Sequence, residues 1–344
     1  MCMPIEDAPE TFDVTTDHER TGPPDQLTVA YGASMSAKLV EKALELLCGN
    51  YIFADRAQEA AERIRKRLAA GEYDQLDEEA LGRRLTAELF DVCQDKHLRV
   101  RTRTEDVREA LTKPEMEAAW REQQRLTNYG IARVERLDGN VGLLDLRSVA
   151  SAGAGGRAIV AAMELVSQTD ALIVDLRKNR GGSPDGAVLW TSYFFPDGET
   201  HLNSIYEGAT GHTRQFWSHA WLPGERYLDR PVYLLTSEST FSAGEEICYN
   251  LKAQKRAVLV GETTKGGAHP TDAFPITPTL EITVPAARAI NPVTGTNWEG
   301  TGVEPDVAVA AQEAFDVAYR MALHHVLAST TAPAILAEAR SALD

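Results

Sequence analysis

The sequence predicts an α/β protein, in which a parallel-sheet domain follows a small helical domain. Three observations lead there. Nearly all-apolar segments of strand length recur in the second half: VGLLDLR (141–147), ALIVDLR (171–177), PVYLLTS (231–237) and AVLVGE (257–262). Such runs mark strands buried on both faces. They alternate with helix-favouring stretches at 151–168, 184–194 and 242–254, and strands linked through helices pair in parallel with right-handed crossovers. Residues 35–93, by contrast, carry helical periodicity alone.

Residues 1–25 are polar, rich in Pro, Asp and Thr, and read as a flexible tail. In the stretch 35–49, Leu39, Ala43, Leu46 and Leu47 share one helix face. The stretch 55–70 ends at Gly71, a natural helix stop. The stretch 77–93 opens on acidic residues, which suit a helix N-terminus, and sets Leu81, Leu85, Leu89 and Val92 in one stripe. QDKHLRVRTR then shifts toward a strand. The expected division is a tail 1–25, a helical domain 26–104, a connector 105–127 broken near Pro114, and an α/β domain 128–344. Within the last, 197–230 reads as a loop-like, aromatic-rich insertion, 275–310 as strands and turns, and 312–327 and 332–343 as helices.

The chain has 344 residues, 43% hydrophobic and 25% charged, which is globular composition. Its 35 basic and 51 acidic residues leave a formal net charge of −16. A surface this acidic repels nucleic acid and anionic membranes and mildly favours basic or neutral substrates. No apolar run reaches membrane-helix length. The first residues have neither a basic start nor an apolar core, so a cytoplasmic location is expected for the chain as given; trimming of an exported precursor would leave the same start. Cys2, Cys48, Cys93 and Cys248 form no C-x-x-C pair and read as reduced thiols, with Cys48 and Cys93 as small core residues. No cofactor or metal is expected: His324 and His325 diverge as helix neighbours, and His201, His212 and His219 are too sparse.

Two turns concentrate the chemistry. STFSAGE (239–245) lies between a buried strand and a helix, where open α/β sheets place their sites. Ser242 would there meet the free N–H groups of a helix N-terminus, which favour a developing oxyanion. The same Ser242-x-x-Glu245 spacing is also a capping box, carried by many helices without catalysis. DLRKNRGG (175–182) ends another buried strand, and Gly181 and Gly182 can turn N–H groups into a cavity or simply make the turn.

These pieces, together with NYIFADRAQ (50–58), GEYDQL (71–76), DKHLRV (95–100), VGETTKGGAHP (260–270) and EGTGVEPDV (299–307), resemble the tail-specific (C-terminal processing) serine proteases. The nearer branch contains the tricorn protease core and the repeats of interphotoreceptor retinoid-binding protein. The resemblance implies a ClpP/crotonase-like parallel-sheet catalytic domain. It implies Ser242 as nucleophile, His97 as general base, Glu299 as the acidic member, and Gly181 or Gly182 with Ala243 as the oxyanion hole. Other members use a lysine base; Gly267 stands at that lysine's position and Lys265 two residues earlier, so a Ser–Lys pair is disfavoured. Lys96 stands where the tricorn core has a serine. The stretch 101–140 is too short for the family's PDZ domain. His269 and Lys265 are further pocket candidates, and His269 competes as base.

The implied function is a serine hydrolase that cleaves peptides through an acyl-enzyme at Ser242. Two alternatives stay open: a non-catalytic module for a small retinoid-like ligand, and an acyl hydrolase for a non-peptide amide or ester. The expected partner is a peptide or small acyl substrate, and homo-oligomerisation stays open.

Overall fold

The computed structural model describes residues 26–103 and 113–344. The expected tail 1–25, Cys2 and residues 104–112 of the connector lie outside the described residues.

The helical unit is three helices and one strand: α1 (Gln26–Asn50), α2 (Ala54–Ala69), α3 (Glu78–Cys93) and β1 (Arg99–Thr102). Asp77 caps α3 by accepting the Ala80 N–H at 2.7 Å, and Gly71 takes φ +75° just beyond α2. The expected stripe Leu81, Leu85, Leu89 and Val92 is buried. Its core is completed from far along the chain. β1 pairs antiparallel with β10 (Leu280–Pro285), Val100 opposite Ile282, and β10 pairs with β9 (Thr271–Pro275). Leu280, Ile282 and Val284 are buried among the helical leucines. The DKHL segment is thereby tied to the α/β half. The connector holds a helix, α4 (Lys113–Leu126), starting beside Pro114, where proline suits a helix's first turn.

The main sheet has the order β12-β8-β7-β4-β3-β2. β3 (Val141–Leu146), β4 (Ala171–Asp175), β7 (Val232–Thr236), β8 (Val258–Gly261) and the short β12 (Val307–Ala308) run parallel, and β2 (Ile131–Leu137) pairs antiparallel with β3. Alternate residues face opposite layers, as strand geometry requires. Leu144, Leu146, Leu172, Val174 and Leu234 join the core of α5 (Ala152–Val166), α6 (Pro184–Ser192) and α7 (Ala243–Ala253). Leu143, Ile173, Tyr233 and Leu235 join that of α8 (Ala314–Ser329) and α9 (Pro333–Ser341). Both faces are covered, which is why these strands are continuous apolar runs.

Three expectations change. The 197–230 insertion is no loop: β5 (His201–Glu207) and β6 (Thr213–Trp217) form a hairpin extended by β11 (Ala287–Ile290). Its aromatic residues pair across strands, His201 stacking on Trp217 at 4.6 Å. Strand β2 was not evident in the sequence, because its alternating charges mask it as an edge strand. Cys48 is exposed rather than in the core, whereas Cys248 is buried. Among the described residues no helix is long and apolar enough to cross a membrane.

The shared core makes a prediction. Ile282→Ala should cost about 2–5 kcal/mol in urea unfolding and speed amide exchange in α3, more than 180 residues away in sequence. Val293→Ala, at a side chain 57% exposed, should change stability by about 0.5 kcal/mol or less. Unchanged α3 exchange in Ile282→Ala would show that the helical unit is stable without β10.

Candidate active site

β7 and β4 are neighbours, and both loops leaving their carboxyl ends meet at one place. Their hydroxyls stitch them together. Ser237 Oγ donates to Arg177 O at 2.6 Å and Thr240 Oγ1 to Leu176 O at 2.9 Å. The turn ends at Ser242, half-buried at the N-terminus of α7, with φ 53° and ψ −122°. A non-glycine residue there is strained by roughly 1–3 kcal/mol, strain that recurs at functional sites.

Glu245 is wholly buried. Its Oε2 accepts the Ser242 N–H at 2.9 Å, the reciprocal contact expected of a capping box. The carboxylate goes further than a cap: it also accepts Thr264 Oγ1 at 2.5 Å, Gly266 N at 2.6 Å and Gly267 N at 2.9 Å. Burial pushes its acidity toward the neutral form, and the four donors pull the other way.

The glycine turn is set by Asn179. Its Oδ1 accepts the Gly181 N–H at 2.8 Å, its Nδ2 donates to Leu146 O at 2.9 Å, and its carbonyl accepts Phe241 N. The Gly181 amide is thus committed. Gly181 is still needed: at φ +94°, a Cβ there would stand 2.6 Å from Ser242 Cβ. Among the described residues no acceptor is recorded for the amides of Gly182 and Ala243. Both residues line a cavity of about 270 Å³ together with Ser242, His97 and His269.

His97 reaches this cavity from the helical unit. Its ring stacks on Phe241 at 4.4 Å, and Thr283 Oγ1 holds its carbonyl at 2.6 Å. Burial pushes its pKa down to about 4, so the imidazole is neutral at physiological pH. Its Nδ1 is buried with no hydrogen-bond partner among the described residues. A Cβ at Gly267 would lie 2.8 Å from His97 Cε1 and 2.2 Å from Phe241 Cε2. Glycine at 267 and the His97 ring are therefore mutually dependent.

Glu299 is in the site's wall but not on His97. Its Oε2 accepts Ala268 N at 2.5 Å and lies 3.5 Å from His269 Nδ1. His269 Nδ1 lies 2.7 Å from Asp95 Oδ2, and Asp95 Oδ1 accepts the His97 N–H at 2.9 Å. Asp95 thus joins the two histidines. Burial, with Asp95 nearby, pushes Glu299 up to about 7. The expected link from Glu299 to the base is replaced by one to His269, because the loop bearing Trp298 docks on 266–268, Trp298 Nε1 donating to Gly267 O at 2.8 Å. Asp95, His269 and Glu299 offer ligand atoms within 4.8 Å of one another, close enough for a small cation. Each already makes a hydrogen bond within the protein, and Asp95 reaches His97 through its backbone N–H rather than its ring. Lys265 does not line the cavity; its Nζ lies 5.1 Å from the Phe241 ring centroid, and its carbonyl accepts Lys96 Nζ. Glu304 is exposed.

Asp95, Asn179, Trp298 and the hub role of Glu245 were not singled out in the sequence. All four lie within or beside the quoted motifs, so the signal existed; their partners are distant in sequence, and only folding shows them. Glu245→Gln should cost about 3 kcal/mol or more, since a buried acceptor of four donors gains an unmatched NH2 group; Glu304→Gln should cost little. Thermal unfolding of both variants checks this, and equal small shifts would reduce Glu245 to an ordinary cap.

The model of peptidase family S41 matches residues 140–309, and that of the N-terminal domain of Peptidase S41 in eukaryotic IRBP matches residues 33–133. Among solved structures, a candidate peptidase from Parabacteroides merdae is 18% identical with a TM-score of 0.55, over 80% of this chain and 90% of that one. The tricorn protease is 13% identical with a TM-score of 0.51, over 92% of this chain and 37% of that one. The photosystem II D1 C-terminal processing protease is 23% identical with a TM-score of 0.41, over 50% of this chain and 43% of that one. The chain thus spans less than half the length of the last two, and at these identities the likeness to the first two is one of fold. With both its helical and its α/β parts matched, the chain belongs to peptidase family S41.

Proposed function

We propose that the chain hydrolyses peptide bonds with Ser242 as nucleophile and His97 as general base, while the Gly182 and Ala243 amides hold the oxyanion. The carrying observation is the exchange at Gly267: the His97 ring fills the space that a side chain at 267 would need. At the position where other members resemble one another in carrying a lysine, this chain has no side chain, and an imidazole arrives from the other domain. A serine hydroxyl needs such a base to become nucleophilic. Neutral His97 takes its proton on attack and returns it to the leaving amine, and water then releases the acyl group by the reverse route. Two amides without an internal acceptor suit the negative oxygen of the tetrahedral intermediate. Ser242, on its strained backbone, lines the same cavity. Glu299 is then a positioning residue, holding the 267–269 wall through Ala268 and His269.

A fluorophosphonate should label Ser242 in the intact protein, and Ser242→Ala should lose labelling and peptide hydrolysis while staying folded. Labelling at Ser237 or Ser239 would move the nucleophile. Absence of labelling would favour the ligand-binding module, and labelling without cleavage of any library peptide would favour a non-peptide acyl substrate.

The base is tested separately. His97→Ala and Gly267→Ala should each lower kcat/KM at least ~100-fold, worth ~2.7 kcal/mol, whereas Lys265→Ala should change it little. A base works only when deprotonated, so kcat/KM should fall as pH drops through about 4, the depressed value at His97. A limb near 7 would tie turnover to a carboxyl raised by burial, Glu299 or Glu246, rather than to His97.

A further inference from the structure

Glu246 is a buried carboxyl that the catalytic proposal does not use. It stands in the first turn of α7, four residues after Ser242 at the helix N-cap. Only 4% of its surface stays accessible, and it lines the same 270 Å³ cavity as Ser242. Asn203 Nδ2, from β5, donates to its Oε1 at 3.0 Å. For Oε2 no partner is recorded among the described residues. The cavity's lining includes the apolar Ile205, Ala243, Ala289 and Trp298, with His97, His269 and Thr271 as further polar members.

A cavity with apolar wall residues and a buried carboxylate matches one kind of side chain. Lysine and arginine carry a hydrocarbon stem and a cationic head, and bury the stem where the head finds a counter-charge. A carboxylate out of water is costly alone and is stabilised by a cation that pairs with it. We propose that Glu246 is the specificity residue of this site, selecting peptides with lysine or arginine on the carbonyl side of the cleaved bond.

The surroundings agree. A second cavity of about 550 Å³ shares Pro184, Ile205, Pro270 and Thr271 with the first, so the two form one groove. It presents the carboxylates of Asp185, Glu207 and Asp272 against the single guanidinium of Arg214. The formal charge of −16 adds a long-range attraction for basic peptides. Burial lifts Glu246 to about 7, so it is ionised at pH 8.

The inference rests on the peptidase reading for its meaning, and its test does not require turnover. Ser242→Ala protein is titrated at pH 8 with acetyl-Ala-Ala-X-Ala-Ala-amide, where X is lysine, arginine, norleucine or glutamine. Lysine and arginine peptides should bind at least ~10-fold tighter than norleucine, which keeps the stem and drops the charge. Adding Glu246→Gln should bring the ratio to about one. Equal binding of lysine and norleucine, equal binding of lysine and glutamine, or no binding at millimolar peptide overturns the proposal. So does a preference that survives Glu246→Gln. The ratio in protein with Glu246 intact decides the matter even if the substituted protein fails to fold. Lysine preference without fluorophosphonate labelling of wild-type Ser242 would sink the cleavage mechanism and leave the pocket assignment standing.

Discussion

The carboxylate of Glu245 is the point from which the site is built. It has no exposure to water and accepts hydrogen bonds from Ser242, Thr264, Gly266 and Gly267. One residue thereby fixes the serine turn against the 264–267 loop. That loop in turn carries Trp298's docking carbonyl at Gly267 and the Ala268 amide bound by Glu299. A buried charge must be matched by donors or it neutralises. Here the donors come from two loops that are also joined by the Lys265 N–H donating to Thr240 O at 3.0 Å, so satisfying the charge reinforces the assembly of the site.

The second constraint is steric. The His97 ring, the Phe241 ring and the backbone at Gly267 compete for one volume. Glycine resolves the competition. His97 then comes from the helical unit, which β1 ties to β10. The Thr283 hydroxyl, on β10, holds the His97 carbonyl. The cavity's lining and inter-unit packing are thus coupled: β10 both completes the core of the helices and holds the His97 backbone.

Around this centre, acidic groups divide by environment. Asp95 is buried but engaged by His269, Tyr51 and the His97 amide. Glu299, with one oxygen bound to Ala268 and the other unpartnered, is lifted toward neutrality by burial. Glu246, whose side chain accepts from Asn203 Nδ2, is likewise raised by burial. In both glutamates burial outweighs the few donors each meets.

Much of this was legible before any coordinates. The four apolar strands and their helices come from local pattern, since burial on both faces leaves no room for polar residues in β3, β4 and β7. Ser242 and the Gly181–Gly182 pair were legible because a turn between a buried strand and a helix has few ways to be built. The hairpin at 201–217 was not, because its strands are short, polar on one face and paired across a turn that carries no strong signal. Nor could spacing assign partners. Whether Gly181 or Gly182 keeps a free amide depends on where the Asn179 side chain lands. Whether Glu299 meets His97 or His269 depends on how the 297–302 loop seats against Gly267. Residue types and turns are local properties, encoded within a few neighbours. Partnerships across 100 or more residues follow from packing and from the need to satisfy buried charge, and the tertiary structure alone decides them.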